Sequence, residues 1–296
     1  MPIIRIDDTA DARLADYRAV SEPDLAARNG VFVAEGRLVV RRLLAAAAFA
    51  TRSVLGTDPV LAALADTLAR RPEVPVFLVR QDVMNDIVGF NIHRGCLAIG
   101  ERPPSRPWRE VLSTPNAQLP TPKEPTPKDP TPKRIVVLER VANADNVGGV
   151  FRSASAFGAD AVLLDPATTD PLYRKAIRTS MGAALQVPFA RATPWPDALT
   201  ELRRLGFAVI AMTPSEGAPP LREAVHASDG RPVAIVLGHE GDGLTTGALA
   251  ACECQARIPI DSGVDSLNVA TAAAIALYEF AGSASRNPAY TPSRGT

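Results

Sequence analysis

From residue 134 onward the chain repeats one pattern: a short apolar run, a break of small or polar residues, then a segment with apolar positions three and four apart. The apolar runs fall at 134–139, 161–164, 185–189, 207–212, 232–237 and 256–260. Runs of that length, apolar at most positions and without strict alternation, read as strands buried on both faces. The segments between them read as helices, and the last and longest spans Asn268–Gly282. Alternation of this kind predicts a parallel sheet with helices on both faces. Residues 1–112 carry a shorter version of the same rhythm. A charged arm with a helical turn, Pro2–Arg18, is followed by a strand at Phe32–Gly36 and a helix at Arg37–Ala48 with Val40, Leu43 and Leu44 inward. A strand at Ser53–Leu55, a helix at Asp58–Arg70, a strand at Val74–Val79, a helix at Gln81–Ile87 and a strand at Cys96–Gly100 complete a smaller α/β domain.

The two regions meet at a compositional break. Residues 113–133 contain a proline repeat, Pro120-Thr-Pro-Lys-Glu, Pro125-Thr-Pro-Lys-Asp and Pro130-Thr-Pro-Lys-Arg. Proline fixes φ and removes a backbone donor, so neither helix nor sheet is expected. A semi-rigid polyproline spacer of about 3.1 Å per residue fits this composition, with a peptide ligand for an aromatic groove as the alternative. The expected organisation is therefore a small domain at 1–112, a linker at 113–133, a larger domain at 134–284 and a Pro/Ser-rich mobile tail at 285–296.

Composition narrows the class. The chain has 296 residues, 46% of them hydrophobic, enough for packed cores. Its formal net charge is +0, so any nucleic-acid surface has to be a local patch. Three cysteines, Cys96, Cys252 and Cys254, are too few and too odd a set for a disulfide framework and fit a reducing compartment. Cys252-Glu-Cys254 lacks a second ligand pair, so no metal site is expected. No signal peptide is visible and the apolar stretches are shorter than a membrane span, so a soluble, cytoplasmic protein is expected.

Three stretches concentrate the polar and glycine residues that follow strands. Asn143–Gly158 reads as a loop running into a helix, with Val147, Val150, Phe151, Ala154 and Phe157 inward, Arg152 off that stripe and Gly158 as the stop. Arg231–Gly243 is a strand entering a Gly-rich acidic loop, and Arg257–Glu279 a short strand, a polar loop and an Ala-rich helix. Written out, they are N-x-G-x-x-x-R-x-A-x-A-F-G, L-G-x-E-G-x-G and I-P-x-x-x-x-x-x-S-L-N-V. In this order and spacing they resemble the three motifs of the SpoU/TrmH family of RNA ribose 2′-O-methyltransferases, in the SPOUT superfamily, over residues 134–281. F-V-A-E-G at Phe32–Gly36 and H-R-G-C-L-A at His93–Ala98 resemble the ribosomal-protein-like substrate-binding domain that precedes many such catalytic domains.

The resemblance implies an α/β fold whose parallel sheet ends in a deep trefoil knot, with S-adenosylmethionine bound in the knot cleft. Gly238, Ile258 and Leu267 match positions that contact the cofactor, and Thr213, Leu237, Gly241 and Ser266 complete the expected lining. Arg152 matches the catalytic arginine. A free arginine has a pKa of about 12.5–13.8, so oxyanion stabilisation fits it better than general-base work. Asn146 is expected to orient Arg152 or hold the ribose, or else to cap the helix; Glu240 to pair with Arg152 or another cation, the alternative being a solvated loop acid; Asn268 to be at once helix cap and active-site amide. His239 is not expected to act as the base, and His93 and His226 have no companion ligands. Arg174, Lys175 and Arg178, beside Tyr173, form a candidate RNA-binding cluster, the alternative being a solvated helix face. The partners implied are ribosomal or transfer RNA and a second copy of the chain.

Two other functions compete. One is a non-catalytic RNA-binding protein that keeps the fold; Arg152, Asn146 and Asn268 all being present weighs against it. The other is a dinucleotide-dependent dehydrogenase, which needs G-x-G-x-x-G at the first strand–helix turn, where Asn146-Val-Gly-Gly-Val-Phe stands instead. Calorimetric titration separates the methyltransferase from the dehydrogenase: S-adenosylmethionine is expected to give saturable heat and NAD none, and the reverse result would reject the resemblance.

Overall fold

The computed structural model describes residues 3–18, 30–88, 95–113 and 133–284. The proline repeat, the tail from 285 and the His93–Arg94 part of the second N-terminal motif lie outside the described residues. The chain forms two compact units. The first comprises Met1–Ser105, Val147–Arg152 and Asp170–Gln186; the second comprises Arg106–Asn146, Ser153–Thr169 and Val187–Thr296. Among the described residues no helix is long and apolar enough to cross a membrane.

The first unit is built on a mixed sheet of β1 (Ile3–Arg5), β2 (Val31–Glu35), β3 (Thr51–Gly56), β4 (Val76–Leu78) and β5 (Cys96–Glu101), in the order β1-β4-β3-β5-β2. β4 runs parallel to β1 and β3, whereas β5 is antiparallel to β2 and β3. Leu14, Tyr17, Val33, Leu55, Phe77, Met84, Leu97 and Ile99 share one core. The helix expected at 37–48 spans Arg37–Ala45 and buries Val39, Val40, Leu43 and Leu44. The single helix expected at 58–70 is two, Asp58–Ala62 and Ala65–Ala69. The break is a turn at Ala63–Leu64, where the backbone flattens (Leu64 φ −105°, ψ 0°) while the Leu64 side chain is fully buried. Tertiary packing of that leucine outweighs the helical propensity of its Ala-rich neighbours.

The second unit is the parallel α/β layer that the periodicity predicts. Its strands are β6 (Arg134–Leu138), β7 (Ala161–Leu164), β8 (Phe189–Arg191), β9 (Ala208–Met212), β10 (Val233–Leu237) and β11 (Cys254–Ala256). All neighbours are parallel, in the order β11-β9-β10-β6-β7-β8. One face, with Ile135, Val137, Leu163, Val209 and Val236, packs in one core with Val111, Leu199, Leu202 and Ala248 of the helices Trp108–Ser113, Asp197–Arg204 and Thr246–Ala251. The final helix, Val269–Ala284, lies against β6 and β10 and buries Val269, Ala273, Ala276, Leu277 and Phe280.

Two strands differ from their expected positions. The run at 185–189 gives a strand only from Phe189, because Ala183–Leu185 closes a 3-10 turn after Gly182, which is left-handed at φ 85°. The run at 256–260 is a strand at Cys254–Ala256; beyond it Arg257 bonds with Pro219 and Leu221, and Pro259 has no N–H for a ladder. The thiols of Cys96 and Cys252 are both buried, and burial pushes each up to about 12.

Gly148, in the first motif, has a packing reason for its identity. A Cβ there would lie 2.6 Å from the Ala176 carbonyl oxygen and 2.8 Å from Thr179 Cβ. Glycine to alanine inside a helix normally stabilises by about 1 kcal/mol. Here the close approach is expected to reverse the sign: Gly148→Ala should lower stability by about 1–3 kcal/mol. A denaturant titration reads this, and a raised midpoint would show the contact to be slack.

Candidate active site

The sheet of the second unit changes winding direction between β6 and β10. The chain proceeds outward through β7 and β8, then returns on the other side through β9, β10 and β11. Segments leaving the carboxyl ends of strands beside such a reversal form the usual ligand crevice of open α/β sheets. Leu138 and Leu237, the last residues of β6 and β10, are paired across the ladder. The first two motifs therefore start side by side.

A cleft opens at this edge. It is lined by Met212, Thr213 and Pro214 after β9, by Leu237–Gly241 and Gly243 after β10, by Ile258 and Ile260 after β11, and by Ser266, Leu267, Val269 and Ala272. All seven residues expected to contact a cofactor, Thr213, Leu237, Gly238, Gly241, Ile258, Ser266 and Leu267, lie on its wall. The loop after β10 is folded tightly on itself. His239 and Gly243 exchange backbone hydrogen bonds of 3.1 and 3.0 Å, and Gly243 is left-handed at φ 69°. A Cβ on Gly238 would meet the Gly243 carbonyl carbon at 2.4 Å, so only glycine fits there. His239 Nδ1 accepts the N–H groups of Gly241 and Asp242 at 3.0 and 3.1 Å. That ring shapes its own loop.

A second cleft of about 430 Å³ adjoins the first and shares Glu240, Ser266, Leu267 and Val269 with it; Ala142, Asn143, Asn146 and Asn268 complete its lining. Its volume falls in the range of small-molecule sites, about 300–1,000 Å³. Three polar side chains on its wall are linked. Asn268 Oδ1 accepts the N–H groups of Ala270 at 2.9 Å and Thr271 at 3.4 Å, capping the final helix. Its Nδ2 donates to Asn146 Oδ1 at 2.8 Å, and Asn146 Nδ2 donates to Glu240 Oε1 at 2.7 Å. Backbone N–H groups at one end fix both amide orientations, because each oxygen and nitrogen can play only one role. Asn268 thus caps the final helix and presents its amide on the wall of the second cleft. Asn146 does not cap its own helix: Asn143 does, accepting the Asp145 N–H at 2.8 Å. Among the described residues Glu240 is paired with an amide and not with a cation.

Arg152 lies six residues after Asn146 on the helix Ala144–Ala156. It is exposed, and among the described residues its guanidinium has no hydrogen-bond or ion-pair partner. Arg174, Lys175 and Arg178 belong to the first unit. There Arg174 Nε and Arg178 Nη1 approach the same oxygen of Glu35, at 2.8 and 3.5 Å, while Lys175 is exposed. Glu35 is the acid of the F-V-A-E-G motif, and nothing in the periodicity of either stretch signals that pairing. Sequence reasoning also passed over Glu139, 1% exposed at the end of β6. Its signal was present: one acid directly after an apolar run and seven residues before Asn146.

Comparison with known proteins agrees with this geometry. The model of the SpoU rRNA Methylase family matches residues 133–278. A Mycobacterium tuberculosis protein named as an uncharacterized tRNA/rRNA methyltransferase is 40% identical over 276 residues, 92% of this chain and 89% of its own length. The crystal structure of an AdoMet-bound rRNA methyltransferase from Sinorhizobium meliloti is similar with a TM-score of 0.75 at 25% identity, covering 94% of this chain and 97% of that one. A structure of an RNA 2′-O ribose methyltransferase is similar with a TM-score of 0.69 at 25% identity, covering 95% and 99%.

The cap and the amide link of Asn268 are separable. Asn268→Ala removes both and should cost about 0.5–2 kcal/mol through the lost cap. Asn268→Asp keeps an acceptor for the cap but sets an oxygen against Asn146 Oδ1, so it is expected to lose less than Asn268→Ala without matching the parent. Denaturant midpoints of the two variants check this; equal losses would mean that the cap contributes nothing.

Proposed function

The chain belongs to the SpoU rRNA methylase family, and from that membership we propose that it transfers a methyl group from S-adenosylmethionine to a ribose 2′-hydroxyl of ribosomal or transfer RNA. The observation that carries the reading is the Glu240–Asn146–Asn268 chain, set on the wall where the two clefts meet. The glycine-lipped cleft suits S-adenosylmethionine: apolar Leu237, Ile258 and Leu267 stand beside backbone that no side chain screens. Bound there, the cofactor would supply an electrophilic methyl group on a sulfonium. Thr213, Leu237, Gly238, Gly241, Ile258, Ser266 and Leu267 are the residues that would hold it.

The adjoining cleft would receive the target nucleotide. Each amide of the polar chain keeps one N–H beyond those already used, and Glu240 keeps Oε2, so the wall offers two donors and one acceptor to a ribose. These groups are held before substrate arrives and need little reorganisation when charge develops. Arg152 is the residue we assign to the oxyanion. Among the described residues its guanidinium meets no carboxylate, which leaves its donors to a 2′-oxygen losing its proton and to the neighbouring phosphate. The catalytic set is then Arg152, Asn146, Glu240 and Asn268, and Arg174, Lys175 and Arg178 would contact RNA outside it. The reading includes the deep trefoil knot, a small RNA-binding domain before the linker, and a cytoplasmic homodimer.

Methyl transfer to RNA from cells lacking this protein, followed by mapping of 2′-O-methyl positions, tests the reaction. Arg152→Ala is expected to reduce transfer by about 100-fold or more while S-adenosylmethionine still binds and the unfolding midpoint is kept. Undiminished transfer would remove Arg152 from its role. Cofactor binding or RNA binding without any transfer by the parent chain would favour the non-catalytic RNA-binding protein.

A further inference from the structure

Glu139 lines neither cleft, yet it is bonded to Leu237 and Thr245, the residues that flank the loop carrying Glu240 to both. Its carboxylate is buried, and every group reaching it is a donor. Trp195 Nε1 at 2.7 Å and Thr245 Oγ1 at 2.8 Å meet Oε1, and the Thr245 N–H meets Oε2 at 2.8 Å. Thr245 Oγ1 also accepts the Ala248 N–H, at 3.2 Å, so its proton is committed to Glu139. Three converging donors require a side chain that only accepts. A glutamine would turn its own N–H groups at one of them.

The same residue acts through its backbone. The Glu139 N–H donates to the Leu237 carbonyl at 2.9 Å. Leu237 is the residue before the Gly238–Leu244 loop and Thr245 is the residue after it. One amino acid therefore grips both ends of the loop that carries His239, Glu240, Gly241 and Gly243 to the cleft.

We propose that Glu139 is a positioning residue: through Thr245 it sets the shape of the cofactor loop and with it the place of Glu240. The proposal rests on the reading of the glycine-lipped cleft as the S-adenosylmethionine site. It differs from a plain packing role in what it predicts. A loop held at one end only should lose cofactor affinity while the RNA surface is untouched, and the loss should follow the side-chain bonds one by one.

Three full-length variants test this: Glu139→Gln, Thr245→Val and Thr245→Ser. The readouts are the Kd and KM for S-adenosylmethionine, the KM for RNA, and hydrogen exchange of the peptide spanning Gly238–Thr245. Glu139→Gln is expected to raise the cofactor Kd and KM by about tenfold or more, as loss of bonds to a buried charge would. Its KM for RNA should be unchanged and exchange in the loop faster. Thr245→Val, which removes the hydroxyl but keeps the N–H, should be intermediate, and Thr245→Ser, which keeps both donors, should match the parent. A folded Glu139→Gln protein with parental cofactor affinity and parental exchange overturns the proposal. Should that variant not fold, identical values for Thr245→Val and Thr245→Ser overturn it instead. If the parent chain binds no S-adenosylmethionine, the proposed function fails, and the exchange series still decides whether Glu139 holds the loop.

Discussion

The parallel pairing of β6 with β10 is the constraint on which the site depends. It sets Leu138 beside Leu237 and so starts the first and second motifs at one point of the sheet edge. The alternation of apolar residues cannot set that register. Both strands are buried on both faces, with Ile135, Val136, Val137 and Leu138 all inaccessible, so a slip by one would still bury apolar groups. Glu139 makes the slip expensive. Moved by one residue, its carboxylate would leave Trp195 and Thr245 and stand unpaired inside the protein, a loss of about 3–5 kcal/mol. The strands supply the burial and the single acid at their end supplies the register.

The polar chain on the cleft wall has a direction. It begins at the N-terminus of the final helix, where backbone N–H groups fix Asn268, and runs through Asn146 to Glu240. Each donor already faces its acceptor, so the three side chains form one continuous network on the exposed wall of the cleft. A single helix end thus orders side chains from all three motifs. This gives the motifs a physical reason to occur together: Asn146 comes from the first, Glu240 from the second and Asn268 from the third.

Much of this was legible in the sequence because it depends on local signals. Strand–loop–helix boundaries follow hydrophobic periodicity, and the observed β6, β7, β9 and β10 fall within one residue of the runs at 134–139, 161–164, 207–212 and 232–237. Cleft-lining residues followed from motif matching, since Leu237, Gly238 and Gly241 belong to the second motif and Ile258, Ser266 and Leu267 to the third. What was not legible depends on partners far along the chain. Glu35 meets Arg174 and Arg178 from well over a hundred positions away, so the cluster looked like free charge. Glu240 looked like an acid in want of a cation because an amide partner leaves no charge pattern. Asn143 and Asn146 are both plausible caps by type, and only backbone dihedrals distinguish them. The expected strand at 185–189 begins only at Phe189, because the left-handed Gly182 starts a 3-10 turn that takes up Leu185.

The loop after β10 shows why close backbone approach needs so many anchors. Gly238 and Gly243 leave room for the chain to pass against itself, and glycines lose more conformational freedom on folding than other residues. Left to its sequence, such a loop would sample many shapes. The structure holds it at four points: the reciprocal His239–Gly243 pair, the His239 ring on the Gly241 and Asp242 N–H groups, the Arg140–Asp242 contact at 3.2 Å, and Thr245 on Glu139. The first two close the loop on itself but do not fix where it stands. The Arg140–Asp242 pair is exposed, and pairs of that kind contribute about 0–1 kcal/mol. Thr245 on Glu139 is the buried anchor, and it ties the loop to the strand from which the first motif departs. A side-chain-free wall and a buried acceptor behind it are therefore two halves of one arrangement: the glycines let backbone reach the cleft, and the carboxylate gives that backbone a defined position.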